Sequence, residues 1–148
     1  MTNAQAEPRH RIVVGVDGSS SSTAVVEWAA RQAEMTGSTL EAVTTWEWPT
    51  TYGIAATPIP DYDPAADARN ILDGVLQAVQ SSHTPIALRS IVVEGHPART
   101  LVEESRGADL LVVGCRGLGE FSGMLLGSVS EYCITNADCP VLVYRDQR

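Results

Sequence analysis

The sequence predicts an α/β domain: a parallel sheet with helices packed on both faces. Three observations carry that prediction. Short runs of β-branched and aliphatic residues recur, as in RIVVGVD (residues 11–17) and ADLLVVG (residues 108–114). They are apolar on both sides of the pleat, as strands buried on both faces are. Between them lie segments with apolar residues at i, i+3 and i+4, the period of a helix packed on one side. Strand and helix alternate, and that alternation builds a parallel sheet covered on both faces.

Taken in order, residues 1–10 read as a disordered tail and 11–148 as one domain. Arg11 to Asp17 is the first strand. Gly18 and the run Ser19–Ser22 then turn the chain and cap a helix, in which Val25, Trp28, Ala29, Gln32 and Ala33 hold the helical period up to Thr36. Gly37 stops it. Thr39 to Thr45 forms the second strand. Trp46 to Tyr62 carries four Pro or Gly and four aromatic residues and reads as an irregular insertion.

Asp63-Pro64 opens the second helix, with proline at its first position. Ala68, Ile71, Leu72, Val75, Leu76 and Val79 form its apolar stripe. Gly74 inside it costs ~1 kcal/mol relative to alanine unless something packs closely there. Ile86 to Val93 is the third strand. His96-Pro97 starts a short helix with Ala98, Leu101, Val102 and Ser105 on its inner face. Asp109 to Gly114 is the fourth strand, Ser128 to about Asn136 the fourth helix, and Val141 to Tyr144 the last strand.

Composition removes several functions. A chain of 148 residues is about one domain with a sizeable core. No apolar run approaches the ~20 residues of a membrane helix, and MTNAQAEPRH lacks the apolar segment of a signal peptide, so a cytoplasmic protein is expected. The net charge is -8, which argues against a general nucleic-acid surface. All ten basic residues are arginine. Without lysine there is no Walker A loop and no Schiff-base chemistry. His10, His83 and His96 are scattered, and the three cysteines, Cys115, Cys133 and Cys139, lack zinc spacing. Cys133 and Cys139 can approach each other across a helix-to-strand turn, but free cysteines commonly sit buried in cores.

The stretch Gly114–Ser130, GCRGLGEFSGMLLGSVS, holds five glycines within fourteen positions. It joins an apolar strand to a helix. Glycine permits positive φ and lets backbone amides approach a ligand. Ser128 reads as the helix N-cap, with Glu131 three residues on completing a capping box. Free amides and the positive end of the helix dipole suit a phosphate.

Gly114, two residues, Gly117, nine residues, then Gly127-Ser128 resembles the G-x2-G-x9-G-[S/T] signature of the ATP-binding branch of the universal stress protein family. The resemblance spans Arg11 to Arg145. It implies the strand order 3-2-1-4-5 and ATP with Mg²⁺ as ligand, or cyclic AMP in the same pocket. It also implies a homodimer formed along the last strand, Val141–Tyr144. That order puts Asp17 and Gly114 at one crevice, where strand order reverses.

The resemblance places Asp17 and Thr45 at the nucleotide, and the chemistry of the neighbouring residues suggests the other roles. Asp17 lies at the nucleotide, binding Mg²⁺, directly or through water, or a ribose hydroxyl; the competing reading is a helix-capping aspartate. Gly15 lets the nucleotide or a neighbouring backbone come close. Thr45 offers backbone groups to the adenine edge. Gly114, Arg116, Gly117 and the turn Gly127-Ser128-Val129-Ser130 cradle the phosphates, with the hydroxyls of Ser128 and Ser130 as donors. Arg116 neutralises phosphate charge or is solvated. Trp46 and Trp48 stack on the base, or pack on the second helix or a partner subunit.

Three classes of function compete. The first is a nucleotide-dependent regulatory module. The second is an enzyme, either a slow ATPase or an ATP pyrophosphatase; the latter carries SGGxDS where this chain has DGSSSS. The third is a nucleotide-free interaction protein, whose glycine signature would be degraded. The intact signature favours the first.

Overall fold

The computed structural model describes residues 10–48, 50–51, 54–55, 60–82, 85–115 and 126–145. In chain order the elements are β1 (Arg11–Gly15), α1 (Ser22–Thr36), β2 (Thr39–Trp46), β3 (Thr50–Thr51), β4 (Ile54–Ala55) and α2 (Pro64–Gln80). Then come β5 (Leu88–Glu94), α3 (Pro97–Glu104), β6 (Leu110–Gly114), α4 (Ser128–Asn136) and β7 (Val141–Tyr144). The five long strands form one parallel sheet in the order β5-β2-β1-β6-β7. Numbering those five alone along the chain gives 3-2-1-4-5.

The pleat sorts the core into two layers. Val14, Leu40 and Ala42 point to one face and pack with Val26, Ala30 and Leu72 of α1 and α2. Val13, Val43 and Leu111 point to the other and pack with Leu101 of α3 and Cys133 of α4. Helix ends follow local chemistry. Gly37 adopts φ +67° and its N–H donates to the Ala33 carbonyl, closing α1. Asp63 caps α2 by accepting from the Ala66 amide, with Pro64 at the first helical position.

Several sequence expectations need correction. The insertion after β2 is not wholly irregular, because β3 and β4 pair antiparallel within it. The third parallel strand starts at Leu88, not Ile86, which packs against the core ahead of it. On α2, Ile71 is 39% exposed and Val75 only half-buried, so the buried stripe is narrower than the period implied. Ile71 instead covers the turn at Gly18, a residue with φ +79°. Nothing lies within 4 Å of where a Cβ on Gly74 would sit, so no packing compensates for that helical glycine. His10, assigned to the tail, places Nδ1 3.2 Å from Asp109 Oδ2; residues 1–9 lie outside the described residues.

No disulfide joins the three cysteines; Cys115 and Cys133 are buried and Cys139 half-buried. Burial, with Cys139 nearby, pushes the Cys133 thiol up to about 11. No helix among the described residues is long and apolar enough to cross a membrane.

Candidate functional site

Chain connections leave β1 and β6 in opposite directions, one toward β2 and the other toward β7. The sheet therefore opens between them at its carboxyl end, where ligands of such folds collect. A cavity of about 460 Å³ occupies this position. Gly15, Asp17, Thr45, Gly114, Gly127, Ser128, Val129 and Ser130 all line it. The two remaining candidates, Arg116 and Gly117, fall outside the described residues. So does the centre of the glycine loop.

At the loop's two ends the geometry is defined. The Cys115 amide donates to the Tyr144 carbonyl at 2.7 Å, tying the exit of β6 to β7. The Cys115 carbonyl accepts from the Gly127 amide, also at 2.7 Å, so the loop leaves and returns through one clasp. Helix α4 begins there, with Gly127 and not Ser128 as N-cap, φ −75° and ψ 163°, and no side-chain cap bond. The predicted capping box is absent because Ser128 is already the first helical residue. Glu131 is consequently one position too far along to reach back.

The first intrahelical bond runs from the Glu131 amide to the Gly127 carbonyl. Among the described residues the amides of Ser128, Val129 and Ser130 remain as the unpaired donors of a helix start. Ser128 is exposed and its hydroxyl is free to face the cavity. Ser130 differs from expectation. It is 1% exposed, and its hydroxyl donates to the Gly127 carbonyl at 2.9 Å, with the Cys115 carbonyl at 3.3 Å. One hydroxyl proton is thus committed to holding the clasp and is unavailable to a phosphate.

Asp17 lies two residues beyond β1. Its Oδ1 accepts from the Ser19 amide (2.9 Å) and the Ser22 hydroxyl (3.0 Å), which fixes the turn into α1. Oδ2 accepts no hydrogen bond among the described residues, so one oxygen holds the turn and the other is uncommitted. Ser21, the formal N-cap of α1, makes no side-chain cap bond. Gly15 closes β1 instead of sitting mid-strand. A Cβ there would lie 2.8 Å from Leu101 Cδ1, so its close neighbour is a leucine side chain, not a backbone.

Strand β2 outlasts β1. The Val16 amide donates to the Val43 carbonyl at 2.9 Å, the last rung between the two. The next would join the Thr45 amide to the Val16 carbonyl. That carbonyl instead accepts the Thr44 hydroxyl at 3.1 Å. Backbone groups alternate in direction along a strand, and the Trp46 carbonyl faces β5, where it accepts from Gly95. The N–H and C=O of Thr45 therefore point past the end of β1 into the cavity, with no partner among the described residues. Ala68 and Ile71 of α2 flank this slot on one face of the sheet, Pro97 and Leu101 of α3 on the other. Sequence reasoning missed Thr44 and Leu101 as contributors. Leu101 showed only as an apolar helix position, and the Thr44-Thr45 pair at a strand end was the one available signal.

The chain's position among known proteins agrees with this architecture. Residues 8–145 match the model of the Universal stress protein family. The chain belongs to that family. A universal stress protein of Mycobacterium tuberculosis is 35% identical over 147 residues, covering 92% of this chain and 48% of that protein. The chain thus spans about half the length of the curated relatives it matches. The universal stress protein UspA of Lactobacillus plantarum shares the fold, with a TM-score of 0.74 at 24% identity over 93% of this chain and 98% of that one. A universal stress protein solved in complex with cAMP is 29% identical, with a TM-score of 0.69 over 92% and 96% of the two chains.

Proposed function

We propose that this universal stress protein binds an adenine nucleotide in the crevice between β1 and β6 and acts as a nucleotide-responsive module, not a fast enzyme. The observation that carries the reading is the convergence on one cavity of two complementary sets of unpaired backbone groups. Thr45 offers one donor and one acceptor side by side. Adenine presents the matching pair, its ring N1 as acceptor and its 6-amino group as donor. Guanine presents the same two functions reversed, so both contacts would repel. Some way along the cavity, the amides of Ser128, Val129 and Ser130 and the dipole of α4 suit phosphate oxygens.

ATP with Mg²⁺, the ligand of the branch this glycine spacing resembles, is the preferred occupant. Asp17 fits the metal: its uncommitted Oδ2 is one carboxylate oxygen, and Mg²⁺ is commonly held by one or two carboxylates plus substrate phosphates. No cluster of three metal-ligating side chains exists among the described residues, so most of the coordination would come from phosphates and water. Cyclic AMP is the second reading, supported by the related protein solved with that ligand. Arg116 and Gly117, outside the described residues, are assigned to the phosphates by the glycine spacing alone in either case.

Mass analysis of ligand released from freshly purified protein, followed by calorimetry with ATP-Mg and cyclic AMP, identifies the occupant. Gly127→Val is expected to abolish binding, with the fold checked in parallel by circular dichroism because Gly127 is buried. With φ −75°, Gly127 imposes no backbone demand that valine cannot meet. The expected loss is therefore steric, a branched side chain standing beside the free amides. Unchanged affinity in this variant would remove the phosphate site from α4.

The reading includes a homodimer formed along β7. Val141–Tyr144 carries no charge, all four residues are half-buried, and among the described residues no strand pairs with its outer side. Apolar edge strands of this kind are normally covered or paired. Antiparallel pairing about a two-fold axis satisfies the free backbone groups. Val143→Pro is expected to give monomers by light scattering; a wild-type protein monomeric at high micromolar concentration would refute the pairing.

A further inference from the structure

Three aromatic rings bracket the insertion between β2 and α2. Trp46, the last residue of β2, and Tyr62, just ahead of α2, both line the cavity. Trp48 does not line it, but touches both. Its ring centroid is 5.8 Å from that of Trp46 at an interplanar angle of 83°, and 6.4 Å from that of Tyr62 at 69°. These are the edge-to-face geometries aromatic pairs prefer. Trp48 is 45% exposed and Tyr62 37% exposed. The rings thus keep part of their surface open beside the cavity.

We infer that Trp46 and Tyr62 form an aromatic wall against which a purine base stacks, and that Trp48 is a positioning residue holding the two rings. The inference rests on the nucleotide reading and extends it to the face of the base. A base bonded edge-on to the Thr45 backbone lies in the plane of the sheet, as a substitute for the missing continuation of β1. Its faces then look up and down into the two helical layers. Side chains alternate along β2, and Leu40 and Ala42 pack with α1 and α2. Trp46 has the same parity and enters that layer. Tyr62 reaches it from the start of α2. On the opposite face the described lining includes Pro97 and Leu101, which are aliphatic. Stacking is thus one-sided. It is indifferent to which phosphates the nucleotide carries, since every base has a π-face.

The test uses the full chain with cyclic AMP and ATP-Mg as probes, reading affinity by calorimetry and tryptophan emission in parallel. Trp28 lies on α1, half-buried against the core and away from the cavity lining, and serves as an internal reference. Nucleotide is expected to quench wild-type emission, and Trp46→Ala and Tyr62→Ala should each weaken binding about tenfold, the scale of one aromatic–base contact. Trp48→Ala should weaken it less, with Trp48→Phe restoring wild-type affinity. If Trp46→Ala fails to fold, the more exposed Tyr62 and the wild-type quench still decide. Nucleotide binding with unquenched emission and an unchanged Tyr62→Ala affinity would overturn the aromatic wall while leaving the nucleotide reading intact. No binding of either probe to the wild-type chain would overturn both.

Discussion

The two ends of the sheet are built on opposite principles. At the amino ends of the strands, side-chain charges close the structure. Arg11, with its side chain 10% exposed, pairs through Nη1 with Glu41 Oε2 at 2.9 Å, and Glu41 is 4% exposed. The same guanidinium donates to the Glu104 and Arg106 carbonyls at the end of α3. Arg89 adds a second cation on Glu41 Oε1 at 3.1 Å, and Asp109 accepts from the Arg11 amide. At the carboxyl ends there is no comparable ion pair among the described residues. Backbone groups of Thr45 and α4 are left open, and Asp17 keeps one oxygen uncommitted. Among the described residues no buried side-chain N or O lacks a partner, so what the carboxyl end holds in reserve is backbone groups and one Asp17 oxygen. Cohesion at one pole lets the other remain incomplete, which is what a ligand site requires.

The strongest way to break this comparison is to strip the closed pole. Glu41→Leu leaves the buried Arg11 charge uncompensated, and removal of one partner of such a pair costs about 3–5 kcal/mol. Urea unfolding should show that loss. Arg11→Met combined with Glu41→Leu should recover much of it, because an apolar pair of similar volume often replaces a buried ion pair without cost. Nucleotide affinity should hold in both variants, since Arg11 and Gly15 lie four residues apart, about 13 Å along an extended strand. Affinity falling in step with stability would mean that the two ends do not divide the work.

A smaller effect is expected where the open pole meets the core. Gly15→Ala would place a methyl 2.8 Å from Leu101 Cδ1. Overpacking of this kind costs about 2 kcal/mol. The double variant with Leu101→Ala should be less destabilised than the sum of the singles, as contacting residues couple. If Gly15→Ala leaves stability untouched and lowers only affinity, the glycine serves the ligand and not Leu101.

Much of this was legible in the chain. Val-rich runs and helical periods gave the five long strands and four helices, because each element buries a face with a fixed period. The glycine loop, the strand ends and the family resemblance together named eight described candidates, and all eight line one cavity. The strand order came from the resemblance and not from periodicity, which says nothing about neighbours. What escaped were contacts between residues distant in sequence. Ser128 and Glu131 fit a capping box locally, but the clasp between Gly127 and Cys115 moves the helix start by one residue. The Ser130 hydroxyl is consumed by the same clasp. Arg11 and Glu41 are charged residues inside apolar strands, a visible oddity whose meaning needed the pairing of β1 with β2.

The finest test of the open pole is Thr44→Val. Valine keeps the volume of threonine and its β-branching, so β2 should remain a strand. The substitution removes the hydroxyl that donates to the Val16 carbonyl at 3.1 Å in a buried setting. An unsatisfied buried acceptor costs about 1 kcal/mol or somewhat more. The nearest replacement donor is the Thr45 amide, the next rung of the β1–β2 ladder. If that rung forms, the stability loss shrinks and the adenine-facing donor disappears together. Thr44→Val is therefore expected to weaken nucleotide binding by more than it destabilises the fold, while Thr44→Ser, which keeps the hydroxyl, retains affinity. Calorimetry on the two variants, with hydrogen exchange at the Thr45 amide, reads both halves. Slower exchange at Thr45 in Thr44→Val would show the sheet zipping shut. Unchanged exchange with unchanged affinity would show that Thr44 has no part in keeping it open.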